Sequence, residues 1–304
     1  MQQLSYLQAI IIGLMQGVTE LFPVSSLGHS VLLPAWLGGS WQELVTQESS
    51  NESPYLAFIV GVHVATALAL LQLYWSDWVG IVRGFFRSIA RRRIDTVHER
   101  MAWMIVLATV PVGIAGLVLE HQLRTLFAKP EAAAIFLTIN GLILLLGERL
   151  RRRASRRPPE KPADPGVEPD GAPDTDVTIA GQLTLGDTLF VGSSQILALL
   201  AGISRSGVTM VSGLLRGLSH EEAVRFAFLL ATPVIFAAGV YKIPDLTGPL
   251  GNGIRGQVLA GSIAAFVAAY ISARFLVRWF KTRTLTPFAI YCLIAGIASI
   301  IRFA

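Results

Sequence analysis

The stretch GLMQGVTELFPVSSLGHS, Gly13 to Ser30, is echoed in the second half of the chain by GSSQILALLAGISRSGVT, Gly192 to Thr209. Laid over each other without a gap, Gly13 meets Gly192, Gln16 meets Gln195, Ser25 meets Ser204, Gly28 meets Gly207 and Ser30 meets Thr209. The offset is a constant 179 (204 − 25). Each copy is an apolar run of helix length broken by a turn rich in small and hydroxyl residues. Each also carries ionisable side chains in apolar surroundings. Such groups are costly inside a membrane and mark function there, and duplicated, interrupted apolar segments point to a site between repeats.

Composition agrees with a membrane setting. Of 304 residues, 53% are hydrophobic and only 15% charged, with a mean hydropathy of +0.57. Soluble chains carry about a quarter charged residues, and here long apolar runs recur, so the class is an all-α integral membrane protein. The net charge of +5 is no nucleic-acid signature, because the basic residues cluster in short stretches beside apolar spans. The single cysteine, Cys292, lies in an apolar run and forms no internal disulfide. The N-terminus lacks the basic region and cleavage site of a signal peptide.

Charge sets an expected topology. The first Lys or Arg is Arg83, so the loop from Gly38 to Pro54, with Glu43, Glu48 and Glu52, is expected outside. A span over 55–75 enters the cytoplasm, where Arg83, Arg87, Arg91, Arg92 and Arg93 follow; 101–119 returns, and 132–148 goes back to Arg149 and Arg151–Arg153. Residues 154–178 are rich in Pro, Asp and Glu and read as a disordered cytoplasmic linker. Beyond it, spans are expected over 222–241, 257–279 and 287–303. The opening segments 1–38 and 183–218 then read as re-entrant helix pairs. The expected architecture is an inverted-topology repeat, 1–153 and 179–304, each half a re-entrant pair plus three transmembrane helices. The alternative makes 4–22 a full span and puts the N-terminus inside.

Within the repeated stretches, Gln16 and Glu20 are spaced i, i+4 and share one helix face. Two oxygen-bearing side chains there suit a hard divalent cation that keeps waters and leans on a substrate phosphate. Ser25, Ser26, Gly28, His29 and Ser30 follow Pro23; Ser26 and His29 could pair as nucleophile and base, or merely cap a helix. Arg205 lies deep in an apolar segment between Ser204 and Ser206, followed by Gly207 and Thr209. A guanidinium flanked by hydroxyls suits phosphate. His63 and Thr66 read as packing residues of the first span.

At these residues the chain resembles the bacterial undecaprenyl-diphosphatase family, also known for bacitracin resistance. The match is to an [E/Q]-x-x-x-E helix leading into PVSSxGH, here QGVTELFPVSSLGH from Gln16 to His29. A second motif, PGxSRSG, appears as AGISRSG from Ala201 to Gly207, with RFAFLLATP (Arg225–Pro233) and TPFAIY (Thr286–Tyr291) continuing the likeness. The resemblance implies an inverted repeat and a multi-pass enzyme of the bacterial plasma membrane, its site opening to the periplasm. That enzyme hydrolyses undecaprenyl diphosphate to the monophosphate and inorganic phosphate and so recycles the lipid carrier for the cell wall. Carried over, Glu20 and Gln16 would hold Mg²⁺ or Ca²⁺ and Arg205 the diphosphate, with Ser25, Ser204, Ser206, Gly207 and Thr209 around it. Ser26 and His29 would supply the nucleophile and its acid or base, in either order. Ala201 departs from the usual proline, and Gln16 is neutral at a position where an acid also occurs. The expected partners are a polyprenyl diphosphate and membrane lipids, with no nucleic acid. A lipid-phosphate flippase is the alternative, since transporters also use inverted repeats.

Cysteine-accessibility labelling in intact cells, on a Cys292→Ser background, checks the topology. A cysteine at position 47 should label without permeabilisation. Labelling there only after permeabilisation would reverse the assigned orientation.

Overall fold

The computed structural model describes residues 4–42, 54–127, 129–154, 166–247 and 253–303. Among them the chain is helical, with no strand beyond an isolated parallel bridge between Thr96 and Glu168. The first half holds α1 (Tyr6–Thr19), α2 (Ser26–Leu37), α3 (Pro54–Leu73), α4 (Trp75–Arg91), α5 (Val97–Phe127) and α6 (Pro130–Ala154). After a short α7 (Asp174–Gln182) come α8 (Leu185–Ser194), a 3₁₀ turn (Gln195–Leu199), α9 (Arg205–Leu215), α10 (His220–Thr247), α11 (Arg255–Trp279) and α12 (Thr286–Phe303).

Local chemistry sets the ends of the broken segments. A capping box starts α1: Ser5 Oγ accepts from Gln8 N at 3.2 Å while Gln8 Oε1 accepts from Ser5 N at 2.9 Å. The same device starts α8 with Thr184 and Asp187. α1 stops ahead of Pro23, and α2 restarts from Ser25, whose hydroxyl accepts from Gly28 N at 3.2 Å. In the second copy Ser204 caps α9 by accepting from Gly207 N, also at 3.2 Å. The aligned serines therefore do the same job.

The aligned glycines do as well. A Cβ on Gly13 would stand 2.2 Å from the Gly261 carbonyl oxygen of α11, and one on Gly192 would stand 2.4 Å from the backbone of Ala108 on α5. Each broken segment thus lies backbone to backbone on a long helix of the other half, as small residues permit in membranes. α6 packs along α12 and α3 along α10, so each of these pairs joins the two halves. The core between them is filled by side chains such as Leu137, Leu144, Phe226, Phe228 and Met104.

Helices occupy every interval where a span is expected, with longer bounds at most of them. Among the described residues, Val97–Leu119, Pro130–Arg153, Arg255–Trp279 and Thr286–Phe303 are long and apolar enough to cross a membrane. Pro111 and Pro233 sit inside α5 and α10 without ending them. The 55–75 interval ends sooner than expected: α3 stops at Leu73 and the chain bends by 88° into α4. The stretch that carries Arg83, Arg87 and Arg91 is this helix.

The linker expectation also needs correction. Residues 155–165 lie outside the described residues, but the stretch from Gly166 to Thr178 is not a solvated coil. Glu168 N donates to Asp95 O at 2.8 Å, and Asp170 Oδ1 meets His98 Nδ1 at 2.8 Å. Asp176, in the first turn of α7, is fully buried: Arg225 of α10 donates to its two oxygens at 2.6 and 2.8 Å. Arg225 also pairs with Asp77 of α4 at 3.0 Å and lies over the Tyr74 ring. Composition counts these aspartates as solvating; their partners lie on distant helices, which composition does not see.

Burial opposes ionisation of Asp170, but hydrogen bonds from Thr96 and the His98 backbone, and the charge of His98, hold its carboxyl below the ordinary range. Its contribution to stability is therefore present above the unfolded aspartate value of about 3.9 and is lost as pH falls through the lower folded value.

Arg225 faces one fully buried and one partly buried carboxylate, so Arg225→Met should lower stability by about 3–5 kcal/mol. Asp176→Asn, which leaves the Asp77 pair, should be milder. Thermal unfolding of the detergent-solubilised protein measures both. Equal melting of wild type and Arg225→Met would show that this network does not hold the fold.

Candidate active site

Both broken segments bring a helix start to the same point. At the end of α1, Gln16 Nε2 donates to Glu20 Oε2 at 3.0 Å, as the i, i+4 spacing allows. The chain turns at Pro23 and Ser26, the first residue of α2, donates its hydroxyl proton to the same Glu20 oxygen. Arg205, the first residue of α9, donates to Glu20 Oε1. His63 of α3 holds Nε2 at 3.5 Å from Glu20 Oε2. Its Nδ1 donates to the Ile59 carbonyl at 2.8 Å, which leaves Nε2 turned toward the carboxylate. The Glu20 side chain is 5% exposed and that of Arg205 19%, so the pair is largely withdrawn from water.

The turns around these groups are laced across the two halves. Ser25 adopts φ 71°, a left-handed conformation that costs a non-glycine residue about 1–2 kcal/mol. In return its hydroxyl accepts from Gly202 N at 3.1 Å in addition to Gly28 N. Gly202 has φ 114°, and a Cβ there would lie 2.5 Å from Ala133 O. Asn140, fully buried on α6, donates to Pro23 O and accepts from Ser204 N, both at 3.0 Å. Ser204 and Ser206 both reach the Phe22 carbonyl, at 3.4 and 3.3 Å.

These groups open on a cavity of about 310 Å³. One part of its wall is polar, with Glu20, Ser25, Ser26, His63, Ser204 and Arg205. The remainder is mainly apolar, including Ile59, Val112, Leu199, Ile203 and Val234. A charged pocket continuous with an apolar one can take the head and the start of the tail of an anionic lipid.

Several residues expected at the site are elsewhere. His29 does not line this cavity: Nδ1 donates to the Ser25 carbonyl at 2.7 Å, and Nε2 meets the Tyr291 hydroxyl at 2.7 Å with the two rings stacked. The expectation of His29 beside Glu20 and Ser26 is therefore not met; the i+3 step on α2 carries it toward α12 instead. Ser206, Gly207 and Thr209 are buried in packing and do not line the wall. Thr209 Oγ1 has no partner among the described residues.

Three contributors were passed over or undervalued in the sequence. In the sequence His63 reads as packing, Asn140 belongs to no motif, and Gln195 stands only as the repeat partner of Gln16. Each is a polar side chain inside an apolar helix, the signal that marks function in membranes. Gln195 lines the cavity, donates to Ala108 O at 3.3 Å and has an amide oxygen without a partner among the described residues.

Among the described residues, no cluster of three or more His, Cys, Asp or Glu side chains could cage a metal. The donors present still fit a less demanding ion. Gln16 Oε1 is buried and without a partner among the described residues, on the helix face that carries Glu20. One carboxylate and one amide oxygen suit a hard cation that draws its other ligands from water and phosphate.

Comparison with known proteins places the chain in a family. Residues 9–298 match the family described as bacitracin resistance protein BacA. A protein of Mycolicibacterium paratuberculosis named undecaprenyl-diphosphatase is 59% identical over 301 residues, covering 99% of this chain and 98% of its own. One of Frankia alni named undecaprenyl-diphosphatase 2 is 56% identical over 341 residues, covering 100% and 99%. Another of that name, from Chromobacterium violaceum, is 38% identical over 300 residues, covering 97% and 98%. With a match of this extent and relatives this similar along their whole length, the chain belongs to the BacA bacitracin resistance family.

Proposed function

We propose that this chain is a membrane phosphatase that hydrolyses undecaprenyl diphosphate to undecaprenyl phosphate and inorganic phosphate, returning the lipid carrier to cell-wall synthesis. The observation that carries this reading is the meeting of Glu20, Ser26, His63 and Arg205 at the polar end of a largely apolar cavity.

The chemistry follows from what each group can do. Phosphoryl transfer needs charge neutralised and atoms positioned more than it needs covalent ingenuity. Arg205 stays protonated and presents a planar fork to phosphate oxygens. One arm of that fork, Nη2, donates to Glu20. An entering diphosphate, with more charge than one carboxylate, takes Arg205 and frees Glu20. Glu20 then accepts the Ser26 proton as Ser26 Oγ bonds to the terminal phosphorus. The bond from that phosphorus to the bridging oxygen breaks and undecaprenyl phosphate leaves. Water attacks the phosphoserine, releasing inorganic phosphate and restoring the hydroxyl. His63, its Nε2 beside Glu20, is the group placed to carry the displaced proton onward. Glu20 and Gln16 would hold Mg²⁺ or Ca²⁺ at the edge of this site. Such an ion supplies further neutralisation of the diphosphate charge.

We further infer that the halves are inverted repeats and that the cavity opens to the outer face of the bacterial plasma membrane. Exchange of packing partners supports the first: α1 lies on α11 as α8 lies on α5, while α3 meets α10 and α6 meets α12. The wall residues support the second. Ile59 and His63 lie in the half of α3 remote from the arginines of α4, while Val112 and Val234 lie at the midpoints of α5 and α10.

Phosphate release from a polyprenyl diphosphate by the purified protein in detergent tests the activity; a flippase would release none. Ser26→Ala should abolish turnover and His29→Ala should leave it measurable, the reverse pattern assigning the attack to His29. Arg205→Lys, which keeps charge but loses the fork, should lower kcat/KM at least about tenfold, the equivalent of roughly 1.4 kcal/mol. Full activity of Arg205→Lys would remove bidentate phosphate binding from the account.

Glu20→Gln should abolish turnover with the fold intact, and His63→Ala should reduce kcat more than it raises KM. Wild-type kcat in His63→Ala would return that residue to packing.

A further inference from the structure

Among the described residues, helix α4 has no counterpart after α10 in the second half. Two of its faces are spoken for. Ile81, Gly84 and Ser88 are buried against the start of α5: a Cβ on Gly84 would meet Glu99 N at 2.9 Å, and Trp103 Nε1 donates to Ser88 Oγ at 2.9 Å. Its first turn is pinned by Asp77 to Arg225. The right-angle bend after α3 is therefore held by buried charge, and not left to a free hinge.

The other faces are open. Trp75 is 61% exposed and Phe86 65%, and with Val82 and Ile89 they fall at i, i+7, i+11 and i+14, one stripe along the helix. Beside that stripe run Arg83, Arg87 and Arg91 at i, i+4 and i+8. Arg87 is held by Glu99 at 3.3 Å, while Arg83, Arg91, Arg92 and Arg93 are exposed. The preceding α3 is a 20-residue apolar helix, about 30 Å long and so matched to a bilayer core. The chain turns through 88° at its end into α4, the turn that a helix laid along the membrane surface requires.

We propose that α4 is an interfacial helix that binds anionic phospholipid. Its apolar stripe, led by Trp75 and Phe86, sinks to the boundary of the acyl chains. The row of Arg83 and Arg91, with Arg92 and Arg93 at the helix end, gathers negative headgroups around it. An exposed apolar stripe fits bilayer or protein alike; the adjacent arginine row is what selects a negatively charged membrane surface. This surface is separate from the cavity and does not rest on the reaction assigned there.

The test uses the full-length protein in vesicles of mixed phosphatidylglycerol and phosphatidylcholine, with one lipid at a time brominated on its chains. Fluorescence of the wild type minus that of Trp75→Phe isolates Trp75. Brominated lipid should quench it, and the ratio of quenching should correspond to about threefold or greater enrichment of phosphatidylglycerol beside it. A variant with Arg83, Arg91, Arg92 and Arg93 all changed to Gln should keep the quenching and the phosphatase activity but lose the enrichment. If Trp75 is not quenched by either lipid, or both lipids quench equally in the wild type, the proposal fails. A change of oligomeric state in Phe86→Ser would assign the stripe to a protein contact and overturn it as well.

Discussion

The ion pair between Glu20 and Arg205 is the contact on which the rest of the site depends. It joins a residue of the first repeated stretch to one of the second, 185 positions apart, from the end of one helix to the start of another. At an effective dielectric of about 20, unit charges 4 Å apart interact by roughly 4 kcal/mol, yet desolvating both consumes much of that gain. A buried pair is therefore weak evidence for stability by itself. We propose that it acts as a latch: each charge keeps the other tolerable in an apolar setting until a diphosphate arrives.

The duplication makes this possible through divergence within a shared frame. Ser25 and Ser204 cap equivalent helices with the same geometry, and Gly13 and Gly192 allow the same close backbone approach. The chemistry lies where the copies differ. Glu20 aligns with Leu199, and Ser26 aligns with Arg205. One copy contributes the acid and the hydroxyl; the other contributes the cation and an apolar wall. Neither half could assemble the site alone.

Much of this was legible in the sequence because it is local or periodic. Apolar runs of membrane length, the helix breaks before Ser25 and Ser204, and the ionisable Glu20 and Arg205 all announce themselves within a few residues. What was not legible depended on partners far along the chain. Asp176 reads as a solvated linker residue until Arg225 is brought to it. Asn140 reads as one polar side chain in a span until it bridges Pro23 and Ser204. His29 and His63 are the clearest case. Proximity in sequence placed His29 with Ser26, but helix geometry turns it to Tyr291, and His63 approaches Glu20 from another helix. The arginines of α4 were read by charge alone, whereas the apolar stripe beside them shows only when the stretch is taken as a helix.

The latch makes an unusual demand on Glu20. In chelator, with no divalent ion present, Glu20→Gln should bind a non-hydrolysable polyprenyl methylene-diphosphonate more tightly than the wild type, because Arg205 is released from its carboxylate. Arg205→Met should lose that binding in either background. The direct measurement is the dissociation constant of this analogue for the wild type, the two single variants and the double variant. Tighter binding by Glu20→Gln, abolished in the double variant, is the predicted result. Weaker binding by Glu20→Gln without metal would contradict the account, because Glu20 would then be supporting the diphosphate and not guarding its cation.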